Sequence, residues 1–159
     1  MQDNEILELY FARDEQAIVE TDKNGAFRGC SELVSIRMPP TLEYLGTAVF
    51  QECMRLTSVI MPQSLDALPR QTFETCTELR SVELQDGVTK IGYSAFNGCS
   101  NLTTLSLPSS LTSVGISAFL NCCGLRTIYF GGTREQWESV NVHEDGNDHL
   151  NTPLVICSD

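Results

Sequence analysis

The two histidines, His143 and His149, stand six residues apart in the segment HEDGNDH, with Asp145 and Asp148 between them. Imidazole nitrogens and carboxylates facing each other across an Asp-Gly turn are groups that can hold a transition metal. The same residues also read as an exposed polar loop before a last strand near Leu154 to Ile156, and that reading is preferred, so no metal ligands are assigned. The serines lie in turns or regular columns, with no nucleophile-elbow motif and no histidine nearby in sequence, and there is no phosphate-binding glycine loop. The expectation is therefore a protein that is not an enzyme, with no catalytic residue and no cofactor.

Seven cysteines remain, and they form neither a C-x-x-C pair nor an even set that would read as a disulfide framework. Cys30, Cys53, Cys76, Cys99 and Cys122 instead recur every 23 residues, leaving Cys123 and Cys157 outside the series. A ladder of stacked thiols does not converge on a point, whereas a tetrahedral zinc site needs four ligands that do. Buried, reduced packing positions whose S–H groups meet backbone carbonyls are expected, with Cys123 the more reactive thiol.

The interval belongs to the whole chain. Phe27, Phe50, Phe73, Phe96 and Phe119 precede each cysteine by three residues, and Leu33, Leu56, Leu79, Leu102 and Leu125 follow it by three. Next come two apolar columns separated by one position: Ile36, Val59, Val82, Leu105 and Ile128, then Met38, Met61, Leu84, Leu107 and Phe130. Period-two alternation predicts a short strand with one buried face, closed in three repeats by Pro39, Pro62 and Pro108. Twenty-three residues leave no room for a full crossover helix, so the return path must be tight turns with at most a short 3₁₀ or α turn at the Ala-Phe segment. Internal repeats of this length stack into a solenoid.

Composition narrows the function. Of the 159 residues, 21 are acidic and 10 basic, and a net charge of −11 without a basic cluster argues against nucleic-acid binding. No run of about 18 apolar residues is present, so no membrane span is expected, and the first residues lack the features of a secretory signal. The charge is uneven: residues 1–22 hold seven acids against Arg13 alone.

The stretch from Ile91 to Gly115, IGYSAFNGCSNLTTLSLPSSLTSVG, resembles the BspA-like leucine-rich repeat family, whose units run I-G-x-x-A-F-x-x-C-x-x-L-x-x-I-x-L-P. About five 23-residue units match over residues 25–137. The resemblance implies a β-rich α/β fold, a right-handed leucine-rich-repeat solenoid with parallel short strands, and adhesion or ligand binding rather than catalysis. Because the family occurs mostly in bacterial surface and secreted proteins, it implies that location, while the missing signal peptide leaves the cytoplasm open.

Three segments are expected: a helical N-terminal cap at residues 1–24, leucine-rich repeats at 25–132, and a C-terminal cap at 133–159 made of a short helix, a turn and a strand. In the last of these, Thr133 and Gln136 form a capping-box pattern ahead of Arg134, and the constant interval places Arg134 in the Leu111 column and Trp137 in that of Val114. Trp137 and Val140 are expected to cover the final turn. Residues 1–24 read as two short helices placing Leu7, Tyr10, Phe11 and Ile18 on the first repeat. Their ELYFARDEQAI segment also resembles the opening of sigma-factor-like bacterial proteins, but only about 24 residues match, and that function is not carried over.

Between the two buried strand columns lies an outward row, Arg37, Ile60, Glu83, Ser106 and Tyr129, whose chemistry changes at every step. Arg80 and Arg126 stand at strand entrances beside it. Arginine and tyrosine dominate binding hot spots, so these seven residues are the candidate contacts for a protein or glycan ligand, engaged by a monomer. The alternative is an intracellular regulatory or assembly protein that docks a partner through its N-terminal helices.

Overall fold

A computed structural model describes residues 25–159 apart from Pro39, Thr41 and Thr152; the expected N-terminal helices lie outside the described residues. In the second to fifth repeats the alternating segment forms a short strand: β1 (Ser58–Ile60), β3 (Ser81–Glu83), β5 (Thr104–Leu107) and β7 (Thr127–Phe130). Val59, Val82, Leu105 and Ile128 at their centres are buried, while their neighbours before and after turn outward. Pairing is parallel and steps by one repeat, joining Ser58 to Ser81, Ser81 to Thr104 and Thr104 to Thr127. The first repeat contributes only the bridge between Ser35 and Ser58.

A second parallel sheet, built from two-residue strands, backs the first. Its members are β2 (Ala67–Leu68), β4 (Lys90–Ile91), β6 (Ser113–Val114) and β8 (Asn141–Val142). With β9 (Leu154–Ile156), the front sheet runs in the order β1-β3-β5-β7-β9. From the second repeat on, each coil thus gives one strand to each sheet, the arrangement of a stacked solenoid.

The return path is not a helix. In the second repeat, N–H groups of Gln51, Cys53 and Leu56 donate to the carbonyls of Ala48, Phe50 and Cys53 at 3.1–3.2 Å, a run of successive β-turns. Ala48 and Glu52 have left-handed backbones, with φ of 58° and 64°, which stops helical continuation. Gln71 and Thr75, Ser94 and Gly98, and Ser117 and Asn121 repeat this pair of conformations. A left-handed non-glycine residue costs about 1–2 kcal/mol. Here it is held by hydrogen bonds to the next repeat, such as Ala48 N–H to the Arg70 carbonyl at 3.1 Å and Glu52 N–H to that of Glu74 at 2.8 Å.

The core lies between the two sheets and the turns. Phe27, Phe50, Phe73, Phe96 and Phe119 stack face to face, with centroids 5.1–5.6 Å apart and interplanar angles of 10–19°, within the favourable range for offset aromatic pairs. Gly92 lets successive coils approach closely, because a Cβ there would come within 2.6 Å of the Arg70 backbone nitrogen.

The last coil departs from the interval. Helix α1 (Arg134–Ser139) has the expected capping box: the Thr133 side chain accepts from the Gln136 N–H, and Gln136 Oε1 accepts from the Thr133 N–H at 2.8 Å. This insertion stretches the register, so that Val142, not Trp137, pairs with Val114. Trp137 instead lies with its ring tilted 59° against Phe130, at a centroid distance of 5.4 Å, and Val140 is buried. The fixed spacing misplaced Trp137 because α1 adds residues before the chain rejoins the sheet.

Candidate binding face

Three features of the sequence carried possible chemistry, and the fold sorts them. The thiol ladder is structural: Cys53, Cys76, Cys99 and Cys122 are buried, and each Sγ donates to the carbonyl of Phe27, Phe50, Phe73 or Phe96 respectively at 3.0–3.1 Å. Desolvation pushes the Cys76 and Cys122 thiols up to about 12 and that of Cys99 well above its ordinary value, where the flanking Cys76 and Cys122 add to the effect. Such groups stay protonated and are poor nucleophiles. Cys123 is exposed and Cys157 half-buried.

The histidine loop is tied up locally. His143 Nδ1 accepts the Asp145 N–H at 3.2 Å, and among the described residues no group of three or more His, Cys, Asp or Glu is placed to hold a metal ion. Asn147 in this loop is buried and was not singled out by the sequence. Its Oδ1 accepts the Phe119 N–H at 3.0 Å, while its Nδ2 donates to the Gly115 and His143 carbonyls at 2.9 and 2.7 Å. In the earlier repeats the equivalent N–H groups of Phe50, Phe73 and Phe96 donate to the backbone carbonyls of Thr72, Ala95 and Ala118. A side-chain amide therefore replaces the carbonyl of the next coil. No motif marks such a residue in advance.

On the front sheet Arg37, Ile60, Glu83 and Tyr129 are exposed and Ser106 is half-buried, all projecting from the same side. Arg80 and Arg126 are exposed at the other end of the strands; Arg80 lies 3.9 Å from Glu78, and an Arg126 guanidinium nitrogen donates to the Cys123 carbonyl at 3.3 Å. Neighbouring Thr57 and Thr103 hydroxyls are engaged with the preceding coil, donating to the Val34 and Arg80 carbonyls.

The C-terminal ends of the front strands form a shallow open groove of about 340 Å³. It brings together Glu83, Ser106 and Tyr129 with Asp86, Ile156 and Cys157. Arg37, Ile60, Arg80 and Arg126 do not line it. Ile156 enters because β9 pairs with β7, Tyr129 opposite Ile156, across a longer interval than the repeat; its signal in the sequence was the Leu154 and Ile156 alternation alone. Ile60, Tyr129, Leu154 and Ile156 give this face an apolar component unusual for a solvated sheet, with Ile60 and Leu154 each 63% exposed.

Parallel short strands at constant register, buried leucine columns and a variable outer row define a leucine-rich-repeat solenoid. Residues 20–140 match six copies of the BspA type Leucine rich repeat region, and the chain belongs to that family. Counted by columns, the sequence shows about five units, and the family pattern resolves one more. The repeat family is commonly used for protein binding or adhesion. Among curated proteins none matches at a significant level.

Three solved structures are similar. A leucine rich cell surface protein from Faecalibacterium prausnitzii is 35% identical with a TM-score of 0.71, covering 73% of this chain and 31% of that one. The T. pallidum Leucine Rich Repeat protein is 28% identical with a TM-score of 0.63, covering 65% and 49%. A leucine-rich repeat protein from Bacteroides ovatus is 25% identical with a TM-score of 0.58, covering 85% and 39%. The chain thus spans between about a third and a half of the length of the proteins it matches. Among the described residues, no helix is long and apolar enough to cross a membrane.

Proposed function

We propose that this protein is a non-catalytic recognition and adhesion module that binds a protein or glycan through its front sheet, with residues 25–132 as the scaffold and 133–159 as its C-terminal closure. The observation that carries the reading is the contrast across each strand. The buried centre is Val, Leu or Ile in β1, β3, β5 and β7, whereas the outward position beside it runs Ile60, Glu83, Ser106 and Tyr129. Packing fixes the first set, and solvent leaves the second free to suit a ligand. The similarity to a leucine rich cell surface protein supports an adhesive role.

The test is a purified chain presented to arrays of glycans and short peptides, beside a triple variant, Arg80→Ala, Arg126→Ala and Tyr129→Ala. Ligands captured by the wild type should be lost by the variant while the unfolding temperature stays nearly the same, since all three side chains are exposed. Capture that survives the triple substitution would move the binding site off this face.

A further inference from the structure

From β3 onward the front face is electrically divided along the strands, with Arg37 of the first coil lying outside the groove. At the strand entrances stand Arg80 and Arg126; at the strand exits the groove carries Glu83 and Asp86 and no lysine or arginine. Among the described residues neither carboxylate is paired with a cation, and the Glu83 carboxylate accepts a hydrogen bond from Gln85 Nε2 at 2.7 Å, a neutral donor that leaves its charge uncompensated. At the other end of the groove are the Tyr129 ring, 48% exposed, and Ile156, 40% exposed. The intervening wall is the small Ser106, which projects little and keeps the ring accessible from the acidic side.

Strands in a sheet lie roughly 4.8 Å apart, so Glu83 on β3 and Tyr129 on β7, two strands away, are about 10 Å apart, and Ile156 on β9 is one strand further. An extended peptide advances about 3.3 Å per residue and presents alternate side chains to one side. A basic residue and an apolar residue two or four positions apart therefore span the groove when the peptide runs across the strands.

We infer that, granted the front-face reading above, the groove binds an extended protein segment bearing a lysine or arginine, held at Glu83 and Asp86, and an apolar side chain two or four residues away, held at Tyr129 and Ile156. A charged ammonium or guanidinium satisfies two carboxylates that lack a cationic partner, while the apolar side chain covers the exposed Tyr129 ring and Ile156. A neutral glycan would leave both carboxylates uncompensated, and an acidic ligand would be repelled.

Fluorescence anisotropy tests this with fluorescein-labelled nine-residue peptides in which one lysine and one leucine are separated by one to five residues, beside counterparts with glutamate in place of lysine. At low salt, the lysine peptides of matching spacing should bind the wild type at least tenfold more tightly than the glutamate ones. The preference should collapse in Glu83→Gln/Asp86→Asn and weaken at 0.3 M salt. A control that neutralises two acids elsewhere, Glu43→Gln/Glu138→Gln, should retain it, which separates the groove from general attraction to an acidic protein. Equal binding of both peptide sets, no binding below 1 mM at any spacing, persistence of the preference in the groove variant, or its loss in the control would each overturn the inference. Array ligands lost in Tyr129→Ala yet showing no preference for a cation would overturn this inference alone; array ligands retained by every face variant would overturn the face as well.

Discussion

The thiol ladder makes this fold sensitive to alkali in a way that can be worked out. Burial raises Cys76 and Cys122 from 9.0 to about 12 and Cys99 well above its ordinary value, so between about pH 9 and pH 12 the unfolded chain loses three protons that the folded chain holds more tightly. Stability changes with pH in proportion to the protons bound by the unfolded state minus those bound by the folded state. That difference is negative here, so stability is fully present below pH 9 and is lost as pH rises above it.

Each thiol contributes about 1.4 kcal/mol per pH unit once the unfolded group is ionised, and three give about 4 kcal/mol per unit. Over the roughly three units to pH 12 this removes up to about 12 kcal/mol, so a domain in the lower half of the usual range of about 5–15 kcal/mol should unfold between one and three units above pH 9. Urea denaturation in a reducing buffer at pH 8, 9, 10 and 10.5, followed by circular dichroism, measures the slope. Cys99→Ala should lower stability at pH 8 by about 1–3 kcal/mol through the lost contact and hydrogen bond, yet reduce the alkaline slope by about a third. A flat profile from pH 8 to 10, or a slope unchanged in Cys99→Ala, would refute the linkage.

Asn147→Ala removes the acceptor of the buried Phe119 N–H and should cost about 1–3 kcal/mol; hydrogen exchange at the Phe119 amide should speed up by at least tenfold, and an unchanged rate would show that the amide is not the closing group. Thr75→Gly relieves a β-branched residue at φ 61°. The relief of about 1–2 kcal/mol exceeds the added chain entropy of about 0.5–1 kcal/mol, so calorimetry should find a small rise in melting temperature, and a fall would show that the Thr75 side chain adds more than its strain costs.

Much of the architecture was legible because each buried position repeats, so a column of five phenylalanines or leucines states its own burial. The strand alternation around Val59, Val82, Leu105 and Ile128, the thiol ladder and the Thr133–Gln136 capping box followed from local chemistry. The left-handed turns were hidden because Ala48, Glu52, Gln71 and Thr75 are not the residues that announce positive φ; hydrogen bonds to the next coil impose that conformation. The candidate row was legible as an exposed line, but the groove was not. Ile156 reaches it only through a final coil whose length breaks the interval, and Asp86 only because the loop after β3 lies beside the strand ends.

The constant spacing between coils has a genetic consequence. From Ser35 through Thr127 every front-sheet partner is 23 residues away, so inserting or deleting one whole unit restores the same ladder with different neighbours. Loss of the unit bearing Glu83, for instance, would set Ile60 beside Ser106. Recombination between repeats can thus rewrite the order of surface side chains in a single step, while the buried columns read the same before and after.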